Sequence, residues 1–198
     1  MFRKDLPSLC TVSLYHYTET EAPNLKEGSR HASFESDEAV EELFTNVQRA
    51  WGESESRKQL LHILNSSAAA HEITKVVAVS LGSNAWPRHQ DGRESSPYQH
   101  AMLLTLREWV QKHNGPQSPC YTQDPGYVEI DHSILKKHGA EIIEDPQAWL
   151  EMDETSIVVS IPSNVPSREM IADLARPAVV IWNRVTGNDY DEEGKPCL

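Results

Sequence analysis

From residue 73 onward, short β-branched apolar runs alternate with amphipathic helical patterns, and this alternation limits the chain to few folds. The runs are Ile73–Leu81 (ITKVVAVSL), Pro119–Thr122, Ala140–Ile143, Ser156–Ile161 (SIVVSI) and Ala178–Trp182 (AVVIW). They are short and almost free of charge, as buried strands are. Between them lie four helical stretches: Ser96 to about Asn114, Asp131–His138, Asp145 to about Met152, and Pro166–Leu174. Strands joined through helices form a mostly parallel sheet with right-handed crossovers and helices on both faces. The expected class is α/β, a Rossmann-like three-layer sandwich on a sheet of five strands or more. One sequence does not give the strand order.

The helix at Ser96 is the most strongly marked element. Ser96 stands at the N-cap, Pro97 at N1, and Gln99 at N3 completes an S-x-x-Q capping box. Met102, Leu103, Leu106, Trp109 and Val110 form its apolar face, and Asn114-Gly115-Pro116 ends it. Upstream, Ser36 caps a helix whose Val40, Leu43, Phe44, Val47 and Trp51 share one face, and Gly52 closes it. A second helix covers Arg57–Leu64. These form an N-terminal helical appendage. The division is therefore an extension over 1–69, the α/β domain over 70–185 and an acidic tail over 186–198.

Charge narrows the range of partners. The chain has 18 Lys+Arg against 30 Asp+Glu, a formal net charge of −12. A sequence-independent nucleic-acid binder needs a basic face, and a polybasic membrane protein needs the same. Both nucleic acid and membrane are therefore excluded as expected partners. Residues 121–198 hold 6 basic and 15 acidic side chains, net −9, so the excess lies mainly there. Cys10, Cys120 and Cys197 are widely separated and show no zinc spacing, which fits free thiols in a reducing compartment. No apolar run reaches the roughly 20 residues of a membrane span. No signal peptide is legible either, so a cytoplasmic location is expected, with the nucleus open.

Ligands of open parallel sheets bind beyond the carboxyl ends of the strands. The residues expected there are Gly82, Ser83 and Asn84 after the first strand, and Gln123, Asp124, Pro125, Gly126 and Tyr127 after the second. Ser160, Pro162, Ser163 and Asn164 follow the fourth, and Asn183 and Arg184 the fifth. Gln99 and His100 begin the long helix at the same edge. Each has a plain structural alternative: Gly82 as a tight strand exit, Asp124-Pro125-Gly126 as a turn, Asn164 as a helix cap, His100 as a packed histidine. No G-x-G-x-x-G, Walker loop, G-x-S-x-G elbow or Cys/His pair is present, so no cofactor can be named and no metal site is expected. Asp124 stands where ribose-binding acids stand in Rossmann-like folds, which keeps a nucleoside ligand open.

ITKVVAVSLGS, QHAMLLTLREW, CYTQDPGYVEID, SIVVSIPSNVPSREMIADL and AVVIWNRV, in that order and spacing, resemble the SRR-like domain. That family takes its name from a plant phenotype, sensitivity to red light reduced. The resemblance runs from about Trp51 to Val185 and is nearest the small fungal members. It implies a Rossmann-like domain linked to light signalling and circadian timing in plants, to microtubule-drug sensitivity in yeast, and to haem and rhythm regulation in mammals. It brings no established catalytic mechanism. The matching motif positions are Gly82, Ser83, Gln99, His100, Asp124, Pro125 and Asn183. The loop SNAWPRHQDGRESSP and the amide after the fourth strand depart from the plant-type pattern.

The function expected first is a regulatory module that binds a small molecule at the carboxyl edge of the sheet. Gly82, Ser83, Asn84, Gln99, Ser160, Asn164, Asn183 and Arg184 would line the site. The second expectation is an enzyme on the same fold, a cyclase, isomerase or methyltransferase-like transferase, with His100, Asp124 and Tyr127 as acid/base or hydrogen-bonding groups. A third is an interaction scaffold using the amphipathic N-terminal helix. A homo-oligomer stays open.

Overall fold

The computed structural model describes residues 36–67, 72–85, 96–161 and 167–182. Six helices and five strands follow in the order α1 (Asp37–Glu53), α2 (Glu55–Ser67), β1 (Lys75–Val79), α3 (Ser96–Asn114), β2 (Cys120–Gln123), α4 (Glu129–Lys137), β3 (Glu141–Ile142), α5 (Gln147–Leu150), β4 (Ser156–Ser160), α6 (Ser167–Leu174) and β5 (Val179–Trp182). All strand pairs are parallel, in the order β3-β2-β1-β4-β5. The chain moves outward from β1 to β3, then returns to the other side of β1 for β4. The topological switch therefore lies between β1 and β4, where doubly wound sheets form their crevice.

Side chains alternate across the sheet, and the core divides accordingly. Val76 and Ala78 of β1, with Ile157 and Val159 of β4, face α3 and share one buried cluster with α3, α4 and the N-terminal helices packed on α3. Val77, Val79 and Val158 face the other way, onto Ala148 and Trp149 of α5 and Ile171 of α6. These are the three layers of the expected sandwich.

The N-terminal helices are docked onto this body. The Ser36 hydroxyl caps α1 by accepting the Ala39 N–H at 3.3 Å. Val40, Phe44, Val47 and Trp51 are buried in the same cluster as α3. Trp51 donates from Nε1 to Thr105 Oγ1 at 2.9 Å, and Trp109 donates to Asn65 Oδ1 on α2 at 2.8 Å. The apolar face of α1, which suggested a scaffold, is thus covered by the chain itself.

Three local expectations need correction. α4 starts at Glu129 rather than Asp131, because Val128 is its N-cap and Asp131 falls at N3. α5 is a single turn ending at Leu150 rather than near Met152. The capping box at Ser96 is not closed: Ser96 is already helical, and the buried Gln99 Oε1 accepts no hydrogen bond.

Candidate functional site

β1 leaves the sheet through two residues of positive φ. Ser80 has φ 60° and Gly82 has φ 75°. At Gly82 this conformation, and a side chain of Ser96 that would meet any added Cβ, leave room for glycine only. The turn brings Ser83 and Asn84 back under the start of α3, where both are buried.

Asp131 organises what lies beneath. It is fully buried, and its carboxylate oxygens accept the Ser83 hydroxyl at 2.6 Å, the Asn84 backbone N–H at 2.7 Å, the Asn84 Nδ2 at 3.0 Å and the Val128 N–H at 3.0 Å. The last bond ties it to the first turn of its own helix. A buried carboxylate with this many donors is held by neutral groups alone.

Proton positions follow from this anchor. Asn84 donates through Nδ2, so its Oδ1 accepts, and His100 Nδ1, 3.1 Å away, must donate. Burial pushes His100 down to about 4, against the opposing pull of Asp131 and of the Ser96 backbone, so the ring is neutral near pH 7. Its Nε2 therefore accepts from the Tyr127 hydroxyl at 2.9 Å. The Tyr127 oxygen in turn accepts a hydrogen bond from Thr122 Oγ1 at 2.8 Å. Burial raises the Tyr127 phenol well above its ordinary range, outweighing the Thr122 hydrogen bond. One directional chain runs Thr122, Tyr127, His100, Asn84, Asp131.

Asp124 does separate work. Its Oδ2 accepts the Gly82 N–H at 2.7 Å, and its Oδ1 accepts the Gly126 N–H at 2.7 Å. It clamps the loop after β1 to the turn after β2. The Tyr127 N–H bonds back to the Asp124 carbonyl at 3.2 Å, so His100, Tyr127 and Asp124 are direct neighbours in sequence or in space.

Of the site residues expected from the sequence, Gly82, Ser83, Asn84, His100, Asp124 and Tyr127 come together in this assembly. Gln99 stands in the first turn of α3, and Ser160 ends β4 at the same edge. Asn164, Asn183 and Arg184 lie outside the described residues. Asp131 and Thr122 were not foreseen in these roles: an acid at the start of a helix reads as a cap, and a threonine in a strand reads as sheet.

Four buried side-chain atoms among the described residues lack a hydrogen-bond partner: Gln99 Oε1, Gln123 Oε1, Ser160 Oγ and Arg107 Nε. Three of the four belong to residues at the carboxyl edge. Val79 is in register with Gln123 on one side and Ser160 on the other, so these two flank β1 on the α5–α6 face. A surface concavity of about 420 Å³, lined by Glu55, Lys58, Gln59, His62 and Ile63, belongs to α2 alone. Among the described residues, no three His, Cys, Asp or Glu gather as metal ligands, and no helix is long and apolar enough to cross a membrane.

No curated protein and no solved structure matches the chain. The family model of the SRR1 domain does match, over residues 41–194, a span that runs from within α1 through β5. The match spans well over half of the chain, and the chain belongs to the SRR1 domain family.

Proposed function

We propose that the protein is a binding module that holds a small polar molecule at the carboxyl ends of β1 and β4. The observation that supports this is a pair of buried unpaired atoms on one face of that edge, Gln123 Oε1 and Ser160 Oγ, on the strands either side of β1. Buried polar atoms are almost always satisfied, and leaving one unpaired costs about 1–3 kcal/mol. Two on one face of the sheet edge, flanking β1 beside the topological switch, support a ligand seated there.

On this reading His100, Tyr127 and Asp124 shape the site rather than react in it. Both His100 nitrogens are engaged and its side chain is fully buried. The enzyme reading requires one of these groups to exchange its internal partner for a substrate. The test is native mass spectrometry of freshly purified protein, followed by the Ser160→Ala variant. A co-purifying small molecule, reduced in Ser160→Ala, is the expected result. Protein free of any bound species from several expression hosts, and equally so in both forms, would remove the basis for the proposal.

A further inference from the structure

In doubly wound folds the backbone amides after the first strand are the usual seat of a phosphate or other anion. Here four of those amides, among the described residues, are already bound from within. The Ser80 N–H bonds to the Gln123 carbonyl at 2.9 Å, and the Gly82 N–H to Asp124. The Asn84 N–H bonds to Asp131, and the Ala85 N–H to Ser83 Oγ at 3.0 Å. Two carboxylates of the chain thus stand where an anionic ligand would sit. They are themselves occupied: Asp124 by two N–H groups, Asp131 by three N–H groups and a hydroxyl.

What remains unpaired at this edge has the opposite character. Gln99 Oε1 and Gln123 Oε1 are pure acceptors, and Ser160 Oγ accepts as well as donates. Gln123 is fixed in this sense, because its Nε2 donates to Asp145 Oδ1 at 2.9 Å, which leaves the oxygen as its free end. With β1 between them, the backbones of Gln123 and Ser160 are two strand spacings apart, about 10 Å. A single small molecule spans that width. The net charge of −12 adds a general repulsion of anions.

We infer that the carboxyl edge selects a neutral ligand recognised through its own hydroxyl or amino groups over phosphate- or carboxylate-bearing ones, because the unpaired atoms of Gln123 and Ser160 on the α5–α6 face are oxygens and the Ser80, Gly82, Asn84 and Ala85 amides are already bound within the chain. This inference rests on the binding site proposed above. A cation is disfavoured on the same ground as an anion, since both carboxylates that would pair with it are already filled by the loop.

The test is a set of neutral and phosphorylated probes followed by thermal unfolding at constant ionic strength. Adenosine, ribose and inositol are the neutral, donor-bearing probes; adenosine monophosphate, ribose 5-phosphate and inorganic phosphate are their charged counterparts. At about one hundred times its Kd, a bound neutral probe raises the melting temperature by about 5–10 °C. Its phosphorylated partner should bind at least tenfold more weakly. Ser160→Ala and Gln123→Leu should each weaken the neutral probe about tenfold, the loss of one hydrogen bond. Tighter binding of a phosphorylated probe overturns the inference and leaves the binding site standing. So does silence from all neutral probes when a ligand co-purifies with the protein. Silence from every probe, with no co-purifying species, overturns both.

Discussion

The two ends of β1 carry polar clusters of similar size but opposite construction. At the amino end, Lys75 meets Asp153 at 2.8 Å and Glu151 at 3.5 Å. Asp153 Oδ1 also accepts the Thr155 N–H at 2.9 Å, the Thr155 hydroxyl at 2.8 Å and the Ser156 hydroxyl at 3.0 Å. Burial works to raise the Asp153 carboxyl, but the hydrogen bonds from Lys75, Thr155 and Ser156 outweigh it and hold it well below the usual carboxylate range. Burial likewise works to lower Lys75, and its bonds and charge contacts with Asp153 and Glu151 lift it instead. This end is charged, partly wet and contains none of the unpaired buried atoms. The carboxyl end is dry around His100 and Asp131 and holds three unpaired atoms at its rim.

The largest effect that separates the two ends comes from Asp131→Ala. It strands the Ser83 hydroxyl, the Asn84 amide groups and the Val128 N–H at once. The expected loss is about 3–5 kcal/mol, visible as a lower denaturant midpoint. A variant with a midpoint near that of the wild type would show that water replaces the carboxylate, and the dry description of this end would fail.

Acid separates the ends by pH window. His100 is pushed from 6.5 in the unfolded chain to about 4 in the folded one. The folded state therefore binds its proton less well, and stability falls as pH drops from about 6.5 toward 4, by about 3 kcal/mol in all. Asp153 has a depressed folded pKa, so its contribution is intact above the unfolded value of 3.8 and is lost only below it. Chemical denaturation between pH 7 and 4.5 should show a steep decline in the wild type and a shallower one in His100→Gln. Equal slopes would mean that His100 is protonated or exposed in the folded protein.

The smallest effect is expected at the amino end. The Asp153 side chain is 41% exposed, so solvent replaces much of what Asp153→Ala removes. A loss of about 1 kcal/mol is expected, shrinking further in high salt. A loss as large as that of Asp131→Ala would erase the distinction between the ends.

The fold was largely legible because β-branched runs and helix punctuation are local signals. ITKVVAVSL marked β1 to within two residues at each end, and AVVIW marked β5 to within one. Strand order was not legible, since nothing in AVVIW says which edge it joins. The site was legible as a set of places rather than as a set of bonds. The rule that strand ends share an edge brought Gly82, Ser83, His100, Asp124 and Tyr127 together. It could not single out Asp131, whose partners Ser83 and Asn84 lie 48 and 47 positions away and whose local setting fits a helix cap equally well. Gln99 misled for the same reason: the capping-box spacing is present, but its oxygen makes no such bond.

The directional chain from Thr122 to Asp131 has one more consequence. With a carboxylate at one end, each member can donate in one sense only, so none can reverse without every other reversing too. The imidazole is thereby locked as its Nδ1–H tautomer. The loop leaving β1 and the turn leaving β2 are latched by polarity as well as by distance, and a mimic with the right shapes but one inverted dipole would not close.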